Sequence, residues 1–384
     1  MKKIFVLLSI MILILPTFVN AEDSGLATNA KSAIMLEAST GEIIFEKNSH
    51  ERYAPASMTK IMSMLIIVES IEKGLINWED IVTVSNNASS MGGSQILLET
   101  GEKMSVSDLF KGIAVASGND AVVALAEYIA GTTDAFVKMM NDRAKDLGLK
   151  NTNFKNPHGL DEANHYSSAH DMSIMAKELV KHDKVLEYTK IYEDYLRKGT
   201  DKEIWLVNTN KLVRFYDVVD GLKTGYTVDA GYCLTATAKK NNMRVITVVM
   251  GEPDSKTRNA ETTSMLDYAF AQYKTTTIFS TKDVIKKIKI DKAKEEYANI
   301  IPTTDVNVLN KKIEESKDVT YKFEIDKLEA PINKGDIVGY IHLNDKSKQS
   351  IPLTVNVNIE KANIIDLFIR NLSDIFTGNI IFKR

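Results

Sequence analysis

The order in which strand-like and helical patterns follow one another constrains this fold more than any other feature of the sequence. Alternation of apolar and polar residues predicts a β-hairpin over 32–46, and strand character returns over 218–250 around an Asn241-Asn242 turn. Apolar residues recur at helical spacing in five segments: 57–73, 106–116, 120–130, 171–181 and 255–273. This order predicts an α/β layer with an inserted helical region.

The pattern changes after about residue 280. Short strand-like segments at 319–325, 337–343 and 353–359 are separated by turn residues, which predicts a small β domain over 281–361. No cluster of catalytic residue types lies there, so we expect a spacer or a partner surface. A length of 384 residues agrees with two or three domains, the first over 22–280.

Composition excludes several classes of protein. The 48 Lys and Arg nearly balance the 51 Asp and Glu, so no global basic field favours nucleic acid as a partner. A hydrophobic fraction of 44% excludes wholesale disorder. Cys233 is the single cysteine, so an internal disulfide cannot form, and we expect it to be a small buried residue.

The N-terminus is typical of an export signal. Lys2 and Lys3 precede an apolar stretch over 4–15, and small residues precede a boundary after Ala21. We therefore predict a signal peptide over 1–21 and a mature protein that works outside the cytoplasmic membrane. The alternative is a retained anchor, but about twelve apolar residues are short of the roughly 20 that a spanning helix needs.

The C-terminus, residues 362–384, is predicted to be an amphipathic helix. Apolar residues recur at helical spacing, with polar and charged residues on the opposite face. Such a helix can lie in the headgroup layer of the outer face of the cytoplasmic membrane, where Lys383 and Arg384 favour anionic lipid. The alternative is a terminal helix docked on its own domain.

Three short motifs contain residues that could carry chemistry. Ser57 and Lys60 lie three apart at a helix start, where a neutral amine could act as base for the hydroxyl. The second motif, Ser117-Gly118-Asn119, occupies a turn between two apolar helices. The third, Lys223-Thr224-Gly225, begins a strand, where a cation and a hydroxyl could bind an anionic, extended ligand.

Each motif alone has an ordinary structural explanation: an N-cap serine with a solvated lysine, a helix connection, or a surface strand. Their occurrence together and in this order is the signature of penicillin-binding proteins and serine β-lactamases. The chain resembles the D-alanyl-D-alanine carboxypeptidases, low-molecular-weight penicillin-binding proteins of bacterial cell-wall maturation. Further parts of the resemblance are segments 156–169 and 330–335 and the terminal amphipathic helix.

The resemblance implies a penicillin-binding and β-lactamase-like α/β domain, with an antiparallel sheet flanked by helices and a helical subdomain, before the all-β domain. It also implies removal of the last D-alanine from peptidoglycan stem peptides that end in D-Ala-D-Ala, and acylation by β-lactams. No cofactor or metal is implied. A serine β-lactamase, with Glu162 as its loop glutamate, and a catalytically silent wall-binding protein remain alternatives.

The same resemblance implies a role for each motif residue. Ser57 would be the nucleophile, Lys60 its base, and Ser117 a proton relay to the leaving amine. Asn119 would bind the substrate amide, and Lys223 and Thr224 would bind the terminal carboxylate, with Gly225 on the same strand. The backbone N–H groups of Ser57 and Tyr226 would form the oxyanion hole. Arg258 would be a second carboxylate-binding residue. Many relatives have His at the position of Tyr226. Arg258 has the alternative of a surface ion pair.

Three histidines of one segment, His158, His165 and His170, raise the question of a metal site. Their spacings match no zinc motif and no cysteine lies nearby, so loop histidines are the preferred interpretation.

Overall fold

A five-stranded antiparallel sheet organises the first part of the chain in the computed structural model, which describes residues 25–314, 319–326 and 328–377. The strands are β1 Ser32–Glu37, β2 Ile43–Lys47, β3 Ile81–Thr83, β4 Lys103–Ser105, β5 Glu193–Leu196, β6 Ile204–Val207, β7 Val219–Thr227, β8 Gly231–Lys240 and β9 Met243–Glu252. The main sheet has the order β2-β1-β9-β8-β7, while β3-β4 and β5-β6 are separate two-stranded pairs. The strand β7 is therefore an edge strand.

Both predicted hairpins are present. The strands β1 and β2 pair antiparallel, and β8 and β9 pair across the predicted Asn241-Asn242 turn. Asn241 adopts φ +54°, a left-handed conformation that asparagine accepts more readily than most residues. Turn chemistry thus fixes the register of the two central strands.

Helices cover both faces of the main sheet. They are α1 Lys60–Glu72, α2 Asn86–Ser89, α3 Val106–Ala116, α4 Asn119–Ala130, α5 Thr133–Asp146, α6 Ala169–Leu179, α7 Asp183–Thr189, α8 Leu212–Phe215 and α9 Ser255–Gln272. One apolar core joins α1, α3, α4 and α6 to the sheet, and α9 packs over a second core on the other face. The five predicted helical segments are confirmed.

The helix α5 was not predicted from the sequence. Its buried side chains are Phe136, Met140 and Ala144, a stripe only one residue wide that recurs every four residues. The Thr132 hydroxyl caps it by accepting from Ala135 N. Only every fourth residue is fully buried, so the periodic signal of the helix in the sequence is weak.

A second sheet follows α9. Its strands and their neighbours are β10 Tyr273–Phe279, β11 Lys286–Lys289, β12 Tyr297–Pro302, β13 Val306–Lys311, β14 Tyr321–Ile325, β15 Gly339–Leu343 and β16 Ser350–Val355. Five of them form the sheet β11-β12-β16-β15-β14, and β10 pairs with β13. The strand β10 precedes residue 280 but already pairs with this all-β part, which has its own apolar core.

The C-terminal helix α10 spans Ile364–Thr377. Its Arg370 guanidinium donates to the carbonyls of Ala293 and Lys294, so a polar side faces the β domain. Its apolar side is exposed at six residues: Ile364, Ile365, Phe368, Ile369, Leu372 and Ile375. Within the described residues, no helix is long and apolar enough to cross a membrane. The predicted signal peptide and residues 378–384 lie outside the described residues.

A buried carboxylate joins the start of α4 to the segment before β4. Asp120 is 1% exposed and accepts from the backbone N–H groups of Ile96, Leu98 and Ala121 at 2.9–3.1 Å. These bonds hold the turn Ser117-Gly118-Asn119 against the segment 96–98. The Asp120 carboxylate therefore satisfies backbone N–H groups that regular secondary structure would otherwise satisfy.

We expect Asp120→Ala to destabilise the protein by at least about 2 kcal/mol, because three buried N–H groups lose their acceptor. The measurement is the midpoint of urea unfolding at unchanged m-value. Asp108→Ala removes a half-exposed carboxylate that pairs with Lys111 on α3 and should cost less than about 1 kcal/mol. Equal shifts for the two variants would contradict this account of Asp120.

Candidate active site

Ser57 lies in a tight turn of 3₁₀ helix, Ala56–Thr59, that leads directly into α1. The sequence pattern predicts a regular helix start here. The difference arises at Ala56, which is fully buried with φ +46°, so that the chain turns sharply before the serine. Because residues three apart are eclipsed in a 3₁₀ turn, Ser57 and Lys60 still share one side.

The Lys60 ammonium position is fully buried and has three polar neighbours. Its Nζ lies 3.1 Å from Ser57 Oγ, 2.6 Å from Asn119 Oδ1 and 2.7 Å from the carbonyl oxygen of His158. The Asn119 amide is oriented by its own Nδ2, which donates to the Gly92 carbonyl at 2.7 Å. Lys60 is thus held between three separate segments of the chain.

The surroundings of Lys60 favour a neutral amine. Burial lowers the pKa of Lys60 well below its ordinary value, and the nearby charge of Lys223 lowers it further, while Asp120 acts in the opposite direction. A neutral amine has two N–H groups and one lone pair. Asn119 Oδ1 and the His158 carbonyl can only accept, so they take both N–H groups and leave the lone pair facing the Ser57 hydroxyl.

The second motif occupies the turn between α3 and α4, as predicted. Ser117 ends α3 in the left-handed conformation, with φ +64°. Its Oγ is buried and, among the residues that the structure describes, has no hydrogen-bond partner. A strained serine with an unsatisfied hydroxyl is typical of a position that is completed by a ligand. Asn119 is the first residue of α4 and reaches Lys60 from there.

The third motif lies on the edge strand β7. Lys223 is 1% exposed, and its Nζ donates to the Thr224 carbonyl at 2.9 Å. Burial, with a contribution from the charge of Arg258, lowers the pKa of Lys223 to about 7. The Thr224 hydroxyl donates to Thr209 Oγ1 at 2.7 Å. The two motif side chains are therefore fixed before any ligand arrives.

Gly225 allows β7 to lie against the turn that carries Ser57. A Cβ atom at this position would be 2.9 Å from the Pro55 carbonyl and 3.1 Å from Ala56 Cβ. The strand therefore needs glycine here for close approach. Tyr226 follows it, is 54% exposed and stacks on Tyr232 with ring centroids 4.4 Å apart.

Arg258 is buried rather than on the surface. It is 5% exposed on the first turns of α9, and its Nε and Nη2 donate to Asn259 Oδ1. It lines one cleft of about 380 Å³ together with residues from all three motifs: Ser57, Ser117, Thr224, Gly225 and Tyr226. Lys60, Asn119 and Lys223 lie buried behind its wall.

Sequence patterns missed two contributors. The His158 carbonyl binds Lys60, but a backbone atom leaves no signal in the residue type. Thr209, which positions Thr224, belongs to an irregular segment after β6. His158 and His165 are buried and have pKa values lowered by burial to about 3 and about 4. Among the described residues, no group of three or more His, Cys, Asp or Glu could hold a metal ion.

A neutral lysine facing a serine hydroxyl, with a strained serine and a cationic strand edge in the same cleft, defines a class: serine acyl enzymes with the penicillin-binding fold. The model of the D-alanyl-D-alanine carboxypeptidase family matches residues 18–254, and the model described as the penicillin-binding protein 5 C-terminal domain matches 273–361. The chain belongs to the D-alanyl-D-alanine carboxypeptidases, serine-type hydrolases among the low-molecular-weight penicillin-binding proteins.

Individual relatives agree with this assignment. The chain is 50% identical to the D-alanyl-D-alanine carboxypeptidase DacF of Bacillus subtilis over 354 residues, 91% of each chain. It is 34% identical to DacC of Escherichia coli over 347 residues, 88% of this chain and 86% of the relative. Penicillin-binding protein 5 of Haemophilus influenzae superimposes with a TM-score of 0.69 at 32% identity, covering 87% of this chain and 98% of that structure.

We expect Gly159→Ala to impair the site through the segment that carries the His158 carbonyl. Gly159 has φ +91°, and an added Cβ would lie 1.9 Å from the Ala56 carbonyl oxygen. The segment must move, so Lys60 loses an acceptor and acylation by a fluorescent penicillin should slow about 10²-fold.

Gly148→Ala is the matched control for this variant. Gly148 also has a positive φ, +71°, but nothing lies within 4 Å of the added Cβ. It should lose about 1 kcal/mol of stability and keep its acylation rate. Equal acylation by Gly159→Ala and the wild type would contradict the positioning of Lys60 by this segment.

Proposed function

We propose that this carboxypeptidase removes the terminal D-alanine from peptidoglycan pentapeptide stems through an acyl-enzyme on Ser57. The observation that carries the proposal is the 3.1 Å contact between the buried Lys60 Nζ and Ser57 Oγ; two carbonyl oxygens accept the N–H groups of a neutral amine, which leaves its lone pair for the Ser57 hydroxyl. Lys60 takes the hydroxyl proton while Ser57 Oγ bonds to the carbonyl carbon between the two D-alanines.

The breakdown of the tetrahedral intermediate needs a proton at the leaving nitrogen. Ser117 relays it from Lys60 to the amine, and the C–N bond breaks to release D-alanine. The Ser117 hydroxyl, buried in the cleft without a partner among the described residues, supports this role. Water then hydrolyses the ester and regenerates Ser57.

The backbone N–H groups of Ser57 and Tyr226 form the oxyanion hole in this proposal. The close approach of β7 to the serine turn (Ala56–Thr59) at Gly225 supports it, because Tyr226 follows Gly225 and lines the same cleft as Ser57. Loss of one such donor typically costs about 10²–10³ in rate.

The terminal carboxylate is bound by Lys223, Thr224 and Arg258. Thr224 and Arg258 line the cleft, and Lys223 lies buried behind its wall, so two of the three are buried basic side chains. Removal of cations from water is costly unless an anion compensates, so this part of the cleft favours a ligand with a free carboxylate. The stem peptide extends along the edge strand β7, with Asn119 binding its amide.

Two alternatives have less support. In a serine β-lactamase with Glu162 as deacylating base, that carboxylate would reach the ester. Here Glu162 Oε2 accepts from Asn156 Nδ2 at 3.1 Å, and the residue lines a different pocket with His165 and Asp229. A catalytically silent binding protein would not need the buried Lys60 beside Ser57.

Binding of β-lactams is proposed from the same geometry. The carboxylate of a penicillin matches the terminal carboxylate of the stem, and its lactam carbonyl matches the scissile carbonyl. Penicillin-binding protein D2 of Listeria monocytogenes, solved in cefotaxime-bound form, superimposes with a TM-score of 0.57 at 29% identity, covering 63% of this chain and 97% of that structure.

We further propose that the chain is exported by residues 1–21, and that α10 associates with the outer face of the cytoplasmic membrane. The orientation of α10 supports the second step, since Arg370 holds a polar side on the β domain and the apolar side is exposed. An interfacial helix needs such an outward apolar face.

We expect Ser57→Ala to abolish the penicillin adduct and the release of D-alanine. The adduct is measured by mass spectrometry, and D-alanine after incubation with a peptide ending in D-Ala-D-Ala. The melting temperature should stay close to that of the wild type, because the hydroxyl faces the cleft. Adduct formation elsewhere would overturn the proposal, and rapid penicillin turnover by the wild type would favour a β-lactamase.

We expect removal of residues 363–384 to shift the mature protein from membrane to soluble fractions. Phe368→Ser with Ile369→Ser changes only exposed apolar side chains of α10 and should weaken flotation with anionic vesicles without changing the melting temperature. Membrane retention of the truncated protein would contradict the anchor.

A further inference from the structure

His165 is a buried histidine that the proposed reaction does not use directly. The residue is 6% exposed, and its ring packs edge-on against Phe154 with centroids 5.9 Å apart. Its Nδ1 lies 3.0 Å from the backbone nitrogen of Lys155, and its Nε2 lies 2.8 Å from Thr59 Oγ1. Thr59 is the residue next to Lys60, at the end of the serine turn.

The contacts fix which nitrogen carries the proton. The Lys155 N–H can only donate, so Nδ1 accepts and is unprotonated. The neutral ring then carries its proton on Nε2 and donates it to the Thr59 hydroxyl. Protonation of Nδ1 would break the bond to Lys155, so the arrangement requires a neutral imidazole.

The same segment touches the serine turn and the start of α1 at three further points. The Pro157 carbonyl accepts from Ser63 Oγ at 2.6 Å, and the His158 carbonyl accepts from Lys60 Nζ. Between them and His165, Gly159 lies so close that a Cβ would be 2.8 Å from Thr59 Oγ1. The Thr59 hydroxyl therefore contacts both Gly159 and His165.

We propose that His165 is a positioning residue: its Nε2–H bond to Thr59 holds segment 156–165 against the serine turn and keeps the His158 carbonyl on the Lys60 amine. The inference rests on the proposed roles of Ser57 and Lys60. Without this bond, water reaches Lys60 and the amine becomes easier to protonate.

Burial keeps His165 neutral against the carboxylates around it. Its own segment presents Asp161, Glu162 and His158, the end of β7 is followed by Asp229, and α1 presents Lys60. Burial is the largest influence and lowers the pKa of His165 to about 4, although Glu162 acts in the opposite direction. The ring is therefore neutral at neutral pH.

The experiment compares four variants of the full mature protein. His165→Asn keeps an acceptor for Lys155 but is too short to reach Thr59, whereas His165→Gln places an amide N–H near the position of Nε2. Thr59→Val removes the bond from the other side. His170→Asn, the matched control, changes a half-buried histidine that stacks on His50 away from the cleft.

Acylation by a fluorescent penicillin is measured from pH 4.5 to pH 9. In His165→Asn the acid limb of the rate profile should move up by about one pH unit, because a hydrated lysine has a higher pKa. At pH values below the limb the acylation rate constant should then fall about tenfold, with little change in the affinity of the preceding complex. Thr59→Val should show the same shift as His165→Asn, and the variant that combines both changes should show no larger shift. His165→Gln and His170→Asn should give profiles close to that of the wild type.

The inference would be overturned if the acid limbs of His165→Asn and Thr59→Val both lie at the same pH as that of the wild type. If His165→Asn does not fold, the result for Thr59→Val alone decides. A slower rate without a shift of the limb would reduce His165 to a structural residue and also overturn it. Absence of a Ser57 adduct in the wild type is a separate result, since it overturns the proposed function on which the inference rests.

Discussion

The burial of one amine is the constraint on which the active site depends. Lys60 is fully buried, and its ammonium form would be costly in such an environment. A neutral amine is tolerated because the Asn119 side chain and the His158 carbonyl accept its two N–H groups. These acceptors belong to α4 and to segment 156–165, so the positions of both elements must be fixed relative to α1. Asp120 anchors the start of α4, and Gly159 allows segment 156–165 to lie close to the serine turn.

The edge strand β7 is the second part of this arrangement. An edge strand exposes unpaired backbone groups and invites pairing with another chain. Here the carbonyls of Asp220 and Gly221 accept from the side chains of Thr189 and Asn210. Further along the strand, glycine at position 225 allows β7 to lie close against the serine turn. Neighbouring segments thus cover part of an edge that would favour aggregation in another protein.

Sequence patterns predicted the parts of the site that depend on residue type and local spacing. Ser57 and Lys60 keep their spacing of three in a 3₁₀ turn as they would in an α-helix, and the hairpin at Asn241 follows from turn chemistry. The parts that were missed depend on tertiary structure. The His158 carbonyl is a backbone atom, and α5 has a stripe too narrow to register. Arg258 was ambiguous because burial on α9 is decided by the packing of the whole domain.

Three buried basic side chains in one small region influence one another in sequence. In addition to burial, the charge of Arg258 lowers the pKa of Lys223, and the charge of Lys223 lowers that of Lys60. In the proposed complex, a terminal carboxylate at Lys223 and Arg258 compensates their charge and stabilises the protonated form of Lys223. A substrate without a free carboxylate would leave these two buried groups without an anionic partner, which gives a physical reason why the proposed site favours a ligand with a terminal carboxylate.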